Sequence, residues 1–286
     1  MIHILIHLYQ RAFAYSPWLA YTTATLLALL VLARLSNVFN FYVRHLTFVV
    51  CISVASFIGL VSSLVLVPMG RNSSMNWVVA RTFMYAARLG LGIRTEIINP
   101  ENLTASIPCI YVANHQSSLD LVGIGAVFPE NCAITAKRSL KYTPLLGQFM
   151  TLANNIFIDR GNRDEAVKIF QDAVKTIHKK QLSVFIFPEG TRGRLQNASL
   201  LPFKKGAFHM AVQAGIPIVP IVFSDFHSFY CKQELRYENG LIKIQVLPPI
   251  STEGKTADDV EKLAIDTREV MIQALGKISD SSKKHD

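Results

Sequence analysis

The sequence is short of charge and short of cysteine chemistry. Only 17% of its 286 residues are Asp, Glu, Lys or Arg, against about 25% in ordinary soluble proteins. The shortage is concentrated near the N-terminus. Residues 12–33 and 46–70 carry no charged side chain, and each stretch is long enough to cross a hydrocarbon core of about 30 Å as a helix. A cleaved leader is a poor account of the first stretch, because no small-residue cleavage site is clear and a second apolar stretch follows. The four cysteines, Cys51, Cys109, Cys132 and Cys231, are scattered without a C-x-x-C pair. Buried free thiols in a reducing compartment fit them better than a disulfide framework. There is no Gly-x-Ser-x-Gly elbow to designate a serine nucleophile, and no internal repeat or low-complexity tract. No His/Asp/Glu cluster has metal-ligand spacing. Basic residues do not interleave with stacking aromatics, so nucleic acid is not an expected partner.

A net charge of +9 is present, which beside the apolar stretches suits a phospholipid surface. Residues 1–70 read as a membrane helical hairpin, with Trp18, Tyr21, Phe41 and Tyr42 as interfacial anchors. Residues 71–286 read as one α/β domain. Pro17 and Pro68 leave open whether the hairpin spans the bilayer or dips into one leaflet. Arg34 and Arg44 fall in the expected connection, whereas Arg71, Arg81, Arg88 and Arg94 follow the second helix. The positive-inside bias then turns the domain to the cytosol. The last residues, Lys283-Lys284-His285-Asp286, resemble a dilysine signal for retrieval to the endoplasmic reticulum, or form a solvated tail. Glycosylation sequons begin at Asn72, Asn102 and Asn197, and a cytosolic domain leaves them unmodified.

Residues 73–92 predict an amphipathic helix, lying either at a membrane interface or over a sheet. Beyond residue 95 apolar strands are expected at 110–113, 132–136, 155–158, 183–187, 218–223 and 241–247. Helical patterns fall between most of them, the clearest at 163–180. A final helix is expected at 257–278, capped by Thr256 with Asp258 and Asp259 in its first turn. Alternation of this kind argues an α/β fold: a mixed, largely parallel sheet flanked by helices.

Two motifs stand at strand ends. Asn114-His115-Gln116-Ser117-Ser118-Leu119-Asp120 places a histidine at a strand-to-helix junction and a carboxylate five residues on. Folded back through a first helical turn, that carboxylate accepts from one imidazole nitrogen and leaves the other free to take a proton. The spacing equally suits a capping Ser/Asp segment beside a satisfied histidine. Phe187-Pro188-Glu189-Gly190-Thr191-Arg192 makes a tight turn where α/β sheets place their ligands. Glycine admits close backbone approach, threonine offers a hydroxyl, and arginine a fork matched to phosphate. A surface turn with a Glu–Arg ion pair fits the same residues.

Together the two motifs resemble the glycerolipid acyltransferase family, and within it the 1-acylglycerol-3-phosphate acyltransferases. Ile156-Phe157-Ile158-Asp159-Arg160, Leu201-Pro202-Phe203-Lys204-Lys205-Gly206-Ala207-Phe208 and Ile216-Pro217-Ile218-Val219-Pro220-Ile221 are similar to further family blocks. Asn155 departs, standing where relatives have a small residue, often glycine. The resemblance implies acyl transfer from coenzyme A to the 2-hydroxyl of lysophosphatidic acid, giving phosphatidic acid. His115 is then the base and Asp120 its orienting acid. Glu189, Gly190, Thr191 and Arg192 hold the acceptor phosphate, with Arg160 and then Lys204 or Lys205 as further candidates. Lys137 and Arg138 either meet coenzyme A phosphates or form a plain solvated pair. Amides near Ser117 are candidate oxyanion donors. The implied partners are lysophosphatidic acid, acyl-CoA and the phospholipid membrane; acyl-CoA is a donor substrate, and no tightly bound cofactor or metal is expected. The same fold acting on another acceptor, or a non-catalytic lipid-binding membrane protein, remains an alternative.

Overall fold

The computed structural model describes residues 17–159, 161, 163–193 and 199–280. Seven strands form one sheet in the order β1(Ile93–Ile98), β9(Gly240–Val246), β6(Ile218–Phe223), β2(Ile110–Ala113), β5(Ser183–Ile186), β3(Cys132–Lys137), β4(Ile156–Ile158). Every neighbouring pair is parallel except β6 with β9. The sheet is mixed and largely parallel, as the alternating pattern predicts. β2 and β5 are wholly buried, because helices cover both faces of a parallel sheet. A short antiparallel ribbon, β7(Tyr230–Cys231) with β8(Arg236–Tyr237), follows β6. Neither this ribbon nor β1 is among the expected strands.

One face is covered by α2(Asn37–Leu66), α3(Ser74–Leu91), α4(Asp120–Val127) and α5(Leu146–Leu152), which follow α1(Pro17–Leu35). The other face carries α6(Arg163–Lys180), α7(Gly206–Ala214) and α8(Val260–Asp280). The expected amphipathic segment is α3. It buries Met75, Val79, Phe83, Ala87 and Leu91 in the core, so it acts as a domain helix over the sheet. It ends at Gly92, whose φ of 63° is the left-handed stop that glycine adopts without strain. Before α8, Thr256 and Asp259 form the reciprocal capping box.

Among the described residues α2 alone is long and apolar enough to cross a membrane. It begins nine residues before the expected apolar stretch, directly after Ser36, whose side chain accepts from the Phe39 amide. Arg44 therefore lies inside the helix and is not a connecting-loop charge. Its guanidinium donates to the Leu91 carbonyl and to Asn239 Oδ1, and sits over the Tyr237 ring. The two sides of α2 differ sharply. Phe41, Phe48, Cys51 and Ala55 are buried in the same core as α3 and the sheet, Phe48 meeting Phe83 edge-on at 5.3 Å. Leu46, Val50, Val54, Phe57, Val61 and Leu64 are exposed, a larger apolar stripe than a water-facing helix carries.

Candidate active site

β2 and β5 are hydrogen-bonded neighbours, with Val112 opposite Ile186. Their C-terminal ends therefore deliver the two sequence motifs side by side. After β2 the chain turns into α4, and the Asp120 carboxylate folds back under the turn. Its Oδ2 lies 2.6 Å from His115 Nδ1 and accepts the amides of Gln116 (2.7 Å) and Ser117 (3.0 Å). Asp120 is 1% exposed. Burial pushes its carboxyl upward, while the His115 ring and the two amides pull it back down. With Nδ1 engaged, Nε2 is the nitrogen left for the cavity. Because the amides of Gln116 and Ser117 are committed to Asp120, they are not available as oxyanion donors.

The turn after β5 holds the histidine from its other side. Glu189 Oε1 accepts the His115 amide at 2.7 Å, and Oε2 accepts the Leu201 amide at 3.0 Å. The Gly193 amide donates to the His115 carbonyl at 2.8 Å. The Phe187 ring stacks on the imidazole, centroids 4.1 Å apart. Glu189 is 3% exposed, and burial raises its carboxyl against the pull of those two amides. Its carboxylate faces backbone amides; the ion pair with Arg192 weighed from the sequence is not what its oxygens make.

His115, Thr191 and Arg192 line one cavity of about 490 Å³, together with Ser118 and Lys137. Its far walls are apolar: Ile124 of α4, Phe83 of α3, Leu146 and Phe149 of α5, and Ile52 of α2. Glycine at 190 has φ +68°, and a Cβ there would lie 2.8 Å from Lys204 Cε. Gly190 and Lys204 line a different cavity, on the α6–α7 side of the sheet. Arg138 is engaged by Glu165 at 2.6 Å. Arg160 lies outside the described residues.

Sequence reasoning missed the supports. Asn114 receives the Phe223 amide on Oδ1 (2.8 Å) and donates to the Phe223 carbonyl (3.0 Å), clasping the loop to the end of β6. Gln116 donates to the carbonyls of Phe223 and Ser224. Asn155, the departure from the family pattern, accepts the Ile134 amide and donates to Asn76 Oδ1. Asn76 in turn donates to the carbonyls of Cys132 and Ala153. This buried amide pair ties α3 to the β3–β4 edge, and Asn76 forms part of the cavity wall. These four amide residues are visible in the sequence, but their partners are far away along the chain.

Comparison with known proteins agrees with this geometry. Residues 94–224 match the acyltransferase family model. The chain is 37% identical over 248 residues to a Saccharomyces cerevisiae 1-acyl-sn-glycerol-3-phosphate acyltransferase, covering 87% of this chain and 82% of the yeast one. It is 42% identical over 214 residues to the human alpha form of that enzyme, covering 75% of each. The crystal structure of the 1-acyl-sn-glycerophosphate acyltransferase of Thermotoga maritima superposes with a TM-score of 0.65 at 20% identity, over 83% of this chain and 97% of that one, and so shares the fold. The chain belongs to the glycerolipid acyltransferase family, among its 1-acylglycerol-3-phosphate acyltransferases.

Proposed function

We propose that the protein transfers a fatty acyl group from acyl-CoA to the 2-hydroxyl of 1-acylglycerol 3-phosphate, forming phosphatidic acid. The observation that carries this reading is the shared cavity: His115, its Nδ1 held by Asp120, opens onto the space that Thr191 and Arg192 enter. An alcohol needs a base as it attacks a thioester. Nε2 of His115 takes the hydroxyl proton while the oxygen bonds to the acyl carbon, and Asp120 stabilises the imidazolium. The tetrahedral oxyanion collapses, the carbon–sulfur bond breaks, and the imidazolium returns the proton to the coenzyme A thiolate. Arg192 and Thr191 hold the acceptor's phosphate monoester, with Arg160 as a further ligand. Glu189 and Gly190 build the turn that presents them. The apolar walls of the cavity suit an acyl chain.

The exposed stripe of α2 supports seating in a bilayer, with Ile52 of that helix in the cavity wall, so acyl chains need not leave the lipid. We read the protein as an integral membrane protein of the endoplasmic reticulum with its domain facing the cytosol. The side-chain nitrogens of Asn72 and Asn102 are spent on the carbonyls of Leu152 and Val246, which supports unmodified sequons. Of the other features used for this placement, the dilysine-like tail and Asn197 lie outside the described residues.

Purified protein given labelled oleoyl-CoA and lysophosphatidate should release labelled phosphatidate. His115→Ala should lower turnover by about 10²–10⁴-fold while the protein stays folded in detergent. Absence of phosphatidate, or undiminished turnover in His115→Ala, sinks the proposal.

A further inference from the structure

The sheet carries a second cavity on its opposite face, one that the acyl-transfer step does not use. It measures about 550 Å³ and opens between α6 and α7, at the C-terminal ends of β3, β4 and β5. Its floor is apolar and partly aromatic, with Ile158, Val167, Phe170 and Ile186. Lys204 and Lys205 make its rim cationic, and His209 stands beside them. Lys205 shares its charge with Glu261 at 2.9 Å, and the rim carboxylate Asp159 lies 4.0 Å from Arg138. No carboxylate among the described residues pairs with Lys204, whose ammonium lies across the Gly190 turn, 3.0 Å from where a Cβ would stand. The two cavities meet at the strand ends, because Thr135, Ala136 and Phe187 line both. Phe187 is the residue stacked on His115.

We propose that this second cavity holds the phosphorylated nucleotide end of acyl-CoA, while the acyl chain occupies the His115 cavity. The inference rests on the acyl-CoA-dependent reading of the reaction. The acceptor brings one phosphate, and Arg192 meets it on the near side of Phe187. A separate set of cations on the far side calls for a second anionic group, and the donor supplies it. An apolar, partly aromatic floor beneath a cationic rim also matches a purine base bearing phosphates, whereas the glycerophosphate of the acceptor offers no ring to lie on Phe170. The pantetheine arm then crosses the ends of β3 and β5 past Phe187, which sets the thioester beside His115.

The test compares oleoyl-CoA with S-oleoyl-pantetheine, which keeps the thioester and loses the nucleotide and every phosphate. The parent's turnover of oleoyl-CoA is measured first and tests the underlying reading by itself. Lys204→Met keeps the stem across Gly190 and removes the charge. It should lower kcat/KM for oleoyl-CoA about tenfold, leave oleoyl-pantetheine unaffected, and leave the KM for lysophosphatidate unchanged; Lys204→Arg should restore the preference. An equal loss with both donors, or a rise in the lysophosphatidate KM instead, overturns the assignment. If the parent turns over lysophosphatidate with another donor but not with oleoyl-CoA, the donor reading falls and the assignment with it.

Discussion

The loop after β2 and the turn after β5 end neighbouring strands, yet they hold their parts in opposite ways. In the first, a carboxylate grips a side chain: Asp120 fixes the imidazole and, through two amides, its own turn. In the second, a carboxylate grips backbone: Glu189 ties His115 to Leu201 across two segments. Both acids are buried, and both act on the same histidine. One sets the chemistry of the ring, and the other sets where the residue stands. A charged motif residue can therefore serve by holding backbone in place.

Substitutions that separate the two roles sharpen this comparison. Asp120→Asn removes the charge that stabilises the imidazolium and offers a donor to Nδ1, so kcat should fall by about two to four orders of magnitude with little change in KM. A kcat close to the parent's would dissolve the difference between the loops. Glu189→Gln turns an amide nitrogen toward one of two backbone N–H groups, which breaks one clasp and spares the other. The cost of one unsatisfied buried donor, about 1–3 kcal/mol, should lower kcat by about ten- to a hundredfold; an acceptor-KM effect alone would make Glu189 a substrate ligand. Arg192→Ala should instead raise the KM for lysophosphatidate about tenfold, as expected for a lost charge-assisted contact. Equal weakening toward an acceptor without a phosphate monoester would remove Arg192 from that role.

The smallest expected effect concerns pH. Burial holds the Glu189 carboxyl above its ordinary value, so ionising it costs more in the folded chain than in the unfolded one. Its contribution to stability is fully present below the unfolded-state value and declines as pH rises through the raised folded one. The parent should therefore lose thermal stability relative to Glu189→Gln between acid and neutral pH. A gap that stays constant across that range would mean that Glu189 is not shifted upward.

The legible parts of the fold were those with an uninterrupted local pattern. β2 and β5 are apolar runs ending in turn residues, and α6 keeps one apolar face along its whole length. β1 escaped because Arg94 and Glu96 stand on an edge strand, where charge is tolerated and guards against stray pairing. The short α5 and α7 have too few turns for periodicity to show. In the site, the pairing of His115 with Asp120 lies within one helical turn and can be read locally. The reach of Glu189 to His115 spans 74 positions in sequence and exists only because β2 and β5 adjoin. Lys204 shows the same limit in reverse: the family resemblance made it a further candidate for the acceptor's phosphate, but the chain carries it to the cavity on the other side of the sheet.

Ile52 of α2 reaches the wall of the cavity, and the same helix buries Phe48 and Cys51 against α3. Its role thus differs from that of a tether that any foreign hydrophobic span could replace. A chain started at Arg71 would lack Ile52 in the cavity wall and leave the core with an open seam where Phe48 and Cys51 packed. An exposed apolar stripe and part of the cavity wall belong, in this protein, to a single helix.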